Sequence, residues 1–251
     1  MNPVMISLLL FFGLSMFANT MSKRLWLLKA AESDNRLTSP WKQILQLFKV
    51  GFGQHRLLFE PAAGAMHVVI FFGFLVVITR TITLFGQGFD ADFHIPGVIG
   101  LYYAFIKDTF AVLVIIALFY ALIRRLITKP SRLHLSGEAV VVLFMIMALM
   151  VTDLIGDAAL FSLHPSNHDY GFAWAATALI PIFQNTHPET ILVWFNWMYW
   201  IHVVLIMVFL NFLPFGKHFH VLTALFNVFT MRLEAPGVLQ RMEFEGKEIF
   251  G

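Results

Sequence analysis

The chain has no cysteine. That absence excludes a Cys-ligated iron–sulfur cluster, a thiolate haem ligand, a disulfide and a thiol nucleophile within these residues. Charge is scarce too: 13% of the 251 residues are Asp, Glu, Lys or Arg, where a soluble domain has about a quarter. With 59% hydrophobic residues, there is more apolar surface than a globular core can hide. An ordinary soluble enzyme is excluded, and lipid is the solvent for most of the chain. The formal net charge is only +2, and no nucleic-acid partner is expected. What is plentiful is histidine, ten residues of it.

Charge-free runs locate the membrane segments, since about 20 apolar residues are needed to cross a hydrocarbon core of roughly 30 Å. They predict an all-α integral membrane protein, a bundle of five transmembrane helices at about 3–21, 62–85, 101–127, 139–162 and 190–213. The second span passes through Arg80, the third through Lys107 and Asp108, and the fourth through Asp153 and Asp157. Seven Lys and Arg residues follow span one (Lys23, Arg24, Lys29, Arg36, Lys42, Lys49 and Arg56). Four lie between spans three and four, and four more follow span five, while loops 87–100 and 163–189 have none. The positive-inside rule then sets the N-terminus outside and the C-terminus in the cytoplasm. The basic residues follow the first apolar stretch instead of preceding it, as in an anchor and not a cleaved signal peptide.

Residues 39–52 read as a helix lying on the membrane. Ser39–Pro40 supplies a cap, Trp41, Ile44, Leu45 and Phe48 share one face, and Lys42, Gln43, Gln46 and Lys49 share the other. Phe172–Ile182 is a candidate for a second such helix. No repeat, linker or low-complexity tract divides the chain, so residues 1–251 are expected to form one membrane domain.

His67 falls inside span two and His202 near the middle of span five. An imidazole in lipid is costly and faces the bundle interior for a purpose. His55 lies 12 residues before His67, and His220 lies 18 residues after His202. Eighteen residues are five turns, so His202 and His220 share a face if the helix persists, whereas His218 points away. Pro214 can kink the helix there, which keeps His218 as an alternate. Spans two and five are antiparallel, so groups at equal depth have a nearly constant sum of residue numbers. Pairing His67 with His202 and His55 with His220 leaves a mismatch of about 9 Å, tolerable for tilted or kinked helices. The crossed pairing leaves five times as much. Two stacked pairs on facing helices can hold iron porphyrin axially, and Gly64, Ala65 and Gly73 are expected to admit the flat macrocycle. Stacked pairs suit zinc poorly, because it wants three or four converging ligands. His94, His164, His168 and His187 fall in the outer loops, with His164 and His168 as candidates for an external proton path; His134 falls in an inner loop.

Arg80, Lys107, Asp108, Asp153 and Asp157 gather on three consecutive helices, toward the side with no other Lys or Arg. They can pair with one another at the interface, or a cationic pair there can neutralise haem propionates and polarise a quinone carbonyl while a carboxylate passes protons. The rival expectation is a haem-free transporter or membrane anchor in which these same residues bind substrate or relay protons.

Two stretches resemble a known family. Gly53-Gln54-His55-Arg56 through Pro61-Ala62-Ala63-Gly64-Ala65-Met66-His67, followed by Phe71-Phe72-Gly73-Phe74, is similar to its second helix. Trp200-Ile201-His202, followed by Phe212-Leu213-Pro214-Phe215-Gly216-Lys217-His218-Phe219-His220, is similar to its fifth. The family is the cytochrome b membrane domain like the gamma subunit of respiratory nitrate reductase. It is of the kind fused to iron–sulfur domains in electron-transfer-flavoprotein:menaquinone oxidoreductases and heterodisulfide-reductase-related membrane proteins. The resemblance implies one or two b haems, with His67 and His202 as one axial pair and His55 and His220 as the other. It further implies electron transfer between a cytoplasmic iron–sulfur or flavoprotein partner, such as electron-transfer flavoprotein, and menaquinone in the bacterial inner membrane. The family's cysteine motifs are absent here, so the clusters are expected either in a continuation past residue 251 or in a separate subunit.

Overall fold

The computed structural model describes residues 2–31, 36–130 and 136–233, with the side chains of all but His55 and Arg56. Among the described residues it is all helix and loop, with no strand. Five helices are long and apolar enough to cross a membrane: α1 (Pro3–Trp26), α3 (Pro61–Phe89), α4 (Gly97–Ile123), α5 (Gly137–Leu163) and α7 (Pro188–Phe212). Three short ones complete the set, α2 (Pro40–Gln46), α6 (Trp174–Ala178) and α8 (His220–Phe229).

The starts of these helices follow from local chemistry. Proline occupies the first turn of α1, α2, α3 and α7, where its missing N–H costs nothing and its φ is already helical. Asn2 adds a side-chain cap on α1, accepting from the backbone N–H groups of Val4 and Met5 at 3.1 and 3.2 Å. The long helices run past the charge-free stretches that predicted them. α1 continues through Lys23 and Arg24 to Trp26, and α3 continues to Phe89. Basic side chains extend along the helix toward water, so a charge does not end a helix.

α5 packs against α4 and α7, α3 packs against α4, and α1 lies against α7 and α3. α3 and α7, which carry His67 and His202, touch only sparsely. The core is a seam of small and branched residues between α4 and α5, including Ala104, Ala111, Val114, Leu118, Leu149 and Leu154. Outward-facing residues such as Phe11, Phe12, Ile116, Phe119 and Trp197 are exposed, as a lipid-facing surface requires. Single polar clips tie the helices: Tyr103 of α4 donates to the Val76 carbonyl at 3.1 Å, and Tyr199 of α7 to the Leu84 carbonyl at 3.0 Å. Asn211 of α7 donates to Gly13 of α1 at 3.0 Å.

One end of the bundle carries the Lys- and Arg-rich segments and is called the basic face below. The other has Asp90, Asp92, Asp169 and Glu189 and no Lys or Arg, and is called the acidic face. On the basic face, α2 continues as a π-helical stretch over Leu47–Phe52, and both pack against α8. Trp41, Leu45 and Phe48 of that continuous helix are exposed while Gln43 is fully buried, so its apolar side faces outward. On the acidic face, the segment predicted as one interfacial helix over Phe172–Ile182 is instead α6 followed by a 3-10 turn at Ile180–Phe183. Ala173 and Ala176 there are fully buried, because α6 packs on α4 and α5.

Candidate functional site

Polar groups inside the apolar bundle fall into two regions. The first is a closed ring of ions toward the acidic face. Asp153 and Asp157 stand one turn apart on α5 and each touches both cations. Arg80 donates from Nε to Asp153 at 2.7 Å and from a terminal nitrogen to Asp157 at 2.5 Å. Lys107 Nζ donates to Asp153 at 3.0 Å and to Asp157 at 2.6 Å. All four side chains are buried. Such a set offsets desolvation only because every charge has an opposite partner in good geometry. Asp108 is the fifth ion. One of its oxygens lies 3.0 Å from Lys107, and the other accepts from the backbone N–H groups of Ala175 and Ala176 at 2.8 and 2.9 Å. Ala173 provides no side-chain cap for α6, so Asp108 supplies one from α4, through space. The surplus negative charge of the five-ion set therefore sits on a helix N-terminus, where it is favoured.

His202 lies beside this ring and is buried. Its Nδ1 is 2.9 Å from the Thr152 hydroxyl, which also lies 2.7 Å from the Ala148 carbonyl. A hydroxyl has one proton, and the carbonyl can only accept, so Thr152 donates to Ala148 and accepts from His202 Nδ1–H. The tautomer follows: Nε2 carries the lone pair, and it is buried without a partner. A small, water-sized cavity lies beside it, lined by Arg80, Gln87, Asp157, Phe195, Tyr199 and His202 among others.

The second region is a pair of imidazoles near the basic face. His67 of α3 and His220 at the start of α8 have ring centroids 6.4 Å apart, and both are exposed. His220 Nδ1 donates to the Lys217 carbonyl at 2.7 Å, which again leaves Nε2 with the lone pair. Two imidazoles this close could together hold one metal centre between them.

Depth counting matched His67 with His202, and His55 with His220. The structure instead juxtaposes His67 with His220, and the side chain of His55 lies outside what is described. The premise that failed is helix persistence. α7 ends at Phe212, Gly216 takes a left-handed φ of +66°, and a 3-10 turn at Gly216–Phe219 leads into α8. The chain turns across the basic face, and five turns of straight helix do not exist. His218 lies in that turn with its ring 6.1 Å from Phe212, and burial lowers its pKa, with His220 adding to the effect. His134 lies outside the described residues. Gly64 and Gly73 also serve a different purpose from the one expected. A Cβ on Gly64 would collide with the Leu57 carbonyl, and one on Gly73 with Val114, so both glycines admit protein instead of a macrocycle.

Several site residues carried no warning in the sequence. Thr152 looks like any helix threonine until α5 and α7 are rotated together. Gln87 and Tyr199 are ordinary in type and show their place only as cavity walls. Among the described residues, no group of three or more His, Cys, Asp or Glu is arranged to hold a bare metal ion.

A helical bundle suited to the membrane, with ions sealed inside it and imidazoles whose Nε2 is bare, is a scaffold for redox or proton chemistry. Comparison with known proteins narrows that class. No family model and no solved structure matches the chain. It is 27% identical, over its whole length and 36% of the relative's, to the probable iron-sulfur-binding oxidoreductase FadF of Bacillus subtilis (strain 168). It is 24% identical, over 90% of its length and 33% of the relative's, to EtfAB:quinone oxidoreductase of Syntrophomonas wolfei subsp. wolfei. The chain thus spans about a third of the length of the curated relatives it matches. Both relatives are oxidoreductases, which supports an oxidoreductase-associated electron-transfer role and does not favour the haem-free transporter or anchor.

Proposed function

We propose that the chain is a membrane cytochrome b, the part of a quinone-linked oxidoreductase that passes electrons between an iron–sulfur or flavoprotein partner and menaquinone. The observation that carries this reading is the buried Nε2 of His202, unpartnered and held in the metal-ligating tautomer by Thr152. An unsatisfied buried acceptor costs about 1–3 kcal/mol, which a bonded guest removes. His67 and His220 add two further imidazoles, with ring centroids 6.4 Å apart. In donor type these residues fit haem b: His67 and His220 would hold one such group, while His202 and His55 are candidate ligands for another. Bound there, haem b supplies a one-electron carrier whose potential the surrounding protein sets.

The protein's own residues do the rest. The Lys217 carbonyl and the Thr152 hydroxyl orient two of the rings. The water-sized cavity beside His202 would have to widen to admit a quinone headgroup, which would then meet the apolar side chains of Phe195 and Met198, with Gln87 and Arg80 as donors to a carbonyl. The basic face, cytoplasmic by the positive-inside rule, suits an acidic partner or anionic lipid. The names of the two relatives, one iron-sulfur-binding and one EtfAB:quinone oxidoreductase, support such a partner, either in a continuation of this polypeptide or in another subunit.

The test is a reduced-minus-oxidised spectrum of the purified protein, with pyridine haemochrome quantified per chain. One or two haems b are expected, and the haem lost in His67→Ala is also to be lost in His220→Ala. A chain without haem, expressed with adequate haem supply, would end this reading. Gln87→Leu is expected to slow the quinone reaction at least fivefold while the haem spectrum stays as it was.

A further inference from the structure

A second cavity, also water-sized, lies on the acidic-face side of the ion ring. Arg80 and Gln87 line both cavities and form the wall between them. Lys107 and Tyr103 of α4 also line the second one, and His94 and Asp169, from two different loops, close its far side. His94 is exposed, and the His168 and Asp169 side chains are each one-third exposed, so this end meets water.

The two histidines are arranged alike. His94 and His168 have ring centroids 5.3 Å apart. His94 Nδ1 donates to the Asp92 carbonyl at 2.6 Å, and His168 Nδ1 donates to the Asp169 carboxylate at 2.9 Å. Each ring is held by Nδ1–H and leaves Nε2 to accept a proton. Asp169 is itself fixed, its N–H donating to Asn167 at 3.0 Å. A Cβ on Gly100 would collide with the Ile95 carbonyl and reach His168 Cε1 at 3.2 Å, so glycine is what lets this loop and His168 sit close on α4. The other titratable groups facing the pair are Tyr103 and Lys107 of α4 and Arg80 of α3, with Asp92 in the loop that carries His94.

We propose that His94, His168 and Asp169 form a proton relay that joins the aqueous acidic face, through the second cavity, to the ion ring and the quinone pocket behind it. Imidazole is the side chain suited to exchange protons near neutral pH, taking one up at one ring nitrogen and releasing one from the other. Oxidising one quinol releases two protons and two electrons, and reducing one quinone takes up both. The electrons travel through the oxidoreductase proposed above; the relay gives the protons a route that avoids the basic face. This inference rests on the quinone reading of the first cavity.

Membranes containing the complete oxidoreductase are mixed with menadiol, and haem reduction is followed by stopped-flow absorbance. His94→Ala and His168→Ala are each expected to slow it at least tenfold, with unchanged haem content and midpoint potential, a larger solvent isotope effect, and recovery on adding imidazole. Rates within twofold of the parent overturn the relay and leave the quinone pocket standing. A slowed rate that imidazole does not restore, with an unaltered isotope effect, assigns the histidines to loop structure and also overturns it. If the parent shows no menadiol-driven haem reduction, the quinone reading falls and takes the relay with it.

Discussion

Toward the acidic face, each of the five buried ions has an opposite charge within 3.0 Å, and the two cations and three carboxylates close on one another. Toward the basic face, two imidazoles stand exposed with 6.4 Å between their centroids. The ring pairs its own charges, so it holds the fold together whatever else is bound. The imidazole pair is exposed, so it adds little to the fold, and with Nδ1 on the Lys217 carbonyl His220 keeps Nε2 for a ligand. His202 links the two, buried like the ring yet with one nitrogen unsatisfied like the pair. A polar group in lipid that finds its partners is structure; a titratable ring that lacks one beside a cavity is a candidate site.

The sharpest way to break this comparison is to open the ring. Arg80→Ala leaves two carboxylates buried without their guanidinium and should destabilise the chain by about 3–5 kcal/mol, measured by reversible unfolding in mixed micelles. A loss below about 1 kcal/mol would mean that the ring is hydrated and holds nothing. Gly73→Ala, which sets a methyl group against Val114 between α3 and α4, is expected to cost about 1–3 kcal/mol by the same assay. Thr152→Val tests the link. It removes the acceptor for His202 Nδ1–H and should cost about 1–3 kcal/mol, together with a shifted haem potential if His202 is ligated. At the small end, His67→Ala in haem-free protein should change stability by less than about 0.5 kcal/mol, as at an unremarkable surface site. A large loss there would erase the difference between the two regions.

How much of this was legible beforehand varies by element. The five long helices were, because a membrane helix advertises itself by length and lack of charge, and the predicted starts fall within about four residues of the observed ones. The gathering of Arg80, Lys107, Asp108, Asp153 and Asp157 was legible too, since on antiparallel helices a residue's number gives its depth. The partners were not. Depth says nothing of rotation about the helix axis, so the Thr152–His202 contact and the role of Asp108 as a cap for α6 could not be read. The His67–His220 juxtaposition was lost for another reason. Counting in turns assumes an unbroken helix, and the break over Leu213–Gly216 invalidates every depth beyond it. Proline raised the possibility of a kink, but a kink and a change of direction across the membrane surface look alike in a string of residues. The outer loops hid His94 and Asp169 because loop geometry has no period to count.

The ion ring also has a history in time. Its members come from α3, α4 and α5 only, with none from α1 or α7. Arg80 is synthesised 73 residues before Asp153. A lone arginine near the centre of a hydrophobic helix costs about 2.5–3.5 kcal/mol to insert, and lysine and aspartate cost a similar amount. The apolar residues of each helix offset that cost, and bringing the three together lowers it by giving every charge an opposite partner. Only once α5 has joined α3 and α4 do Arg80 and Lys107 have both of their α5 carboxylates, so the ring favours association of the three over any two.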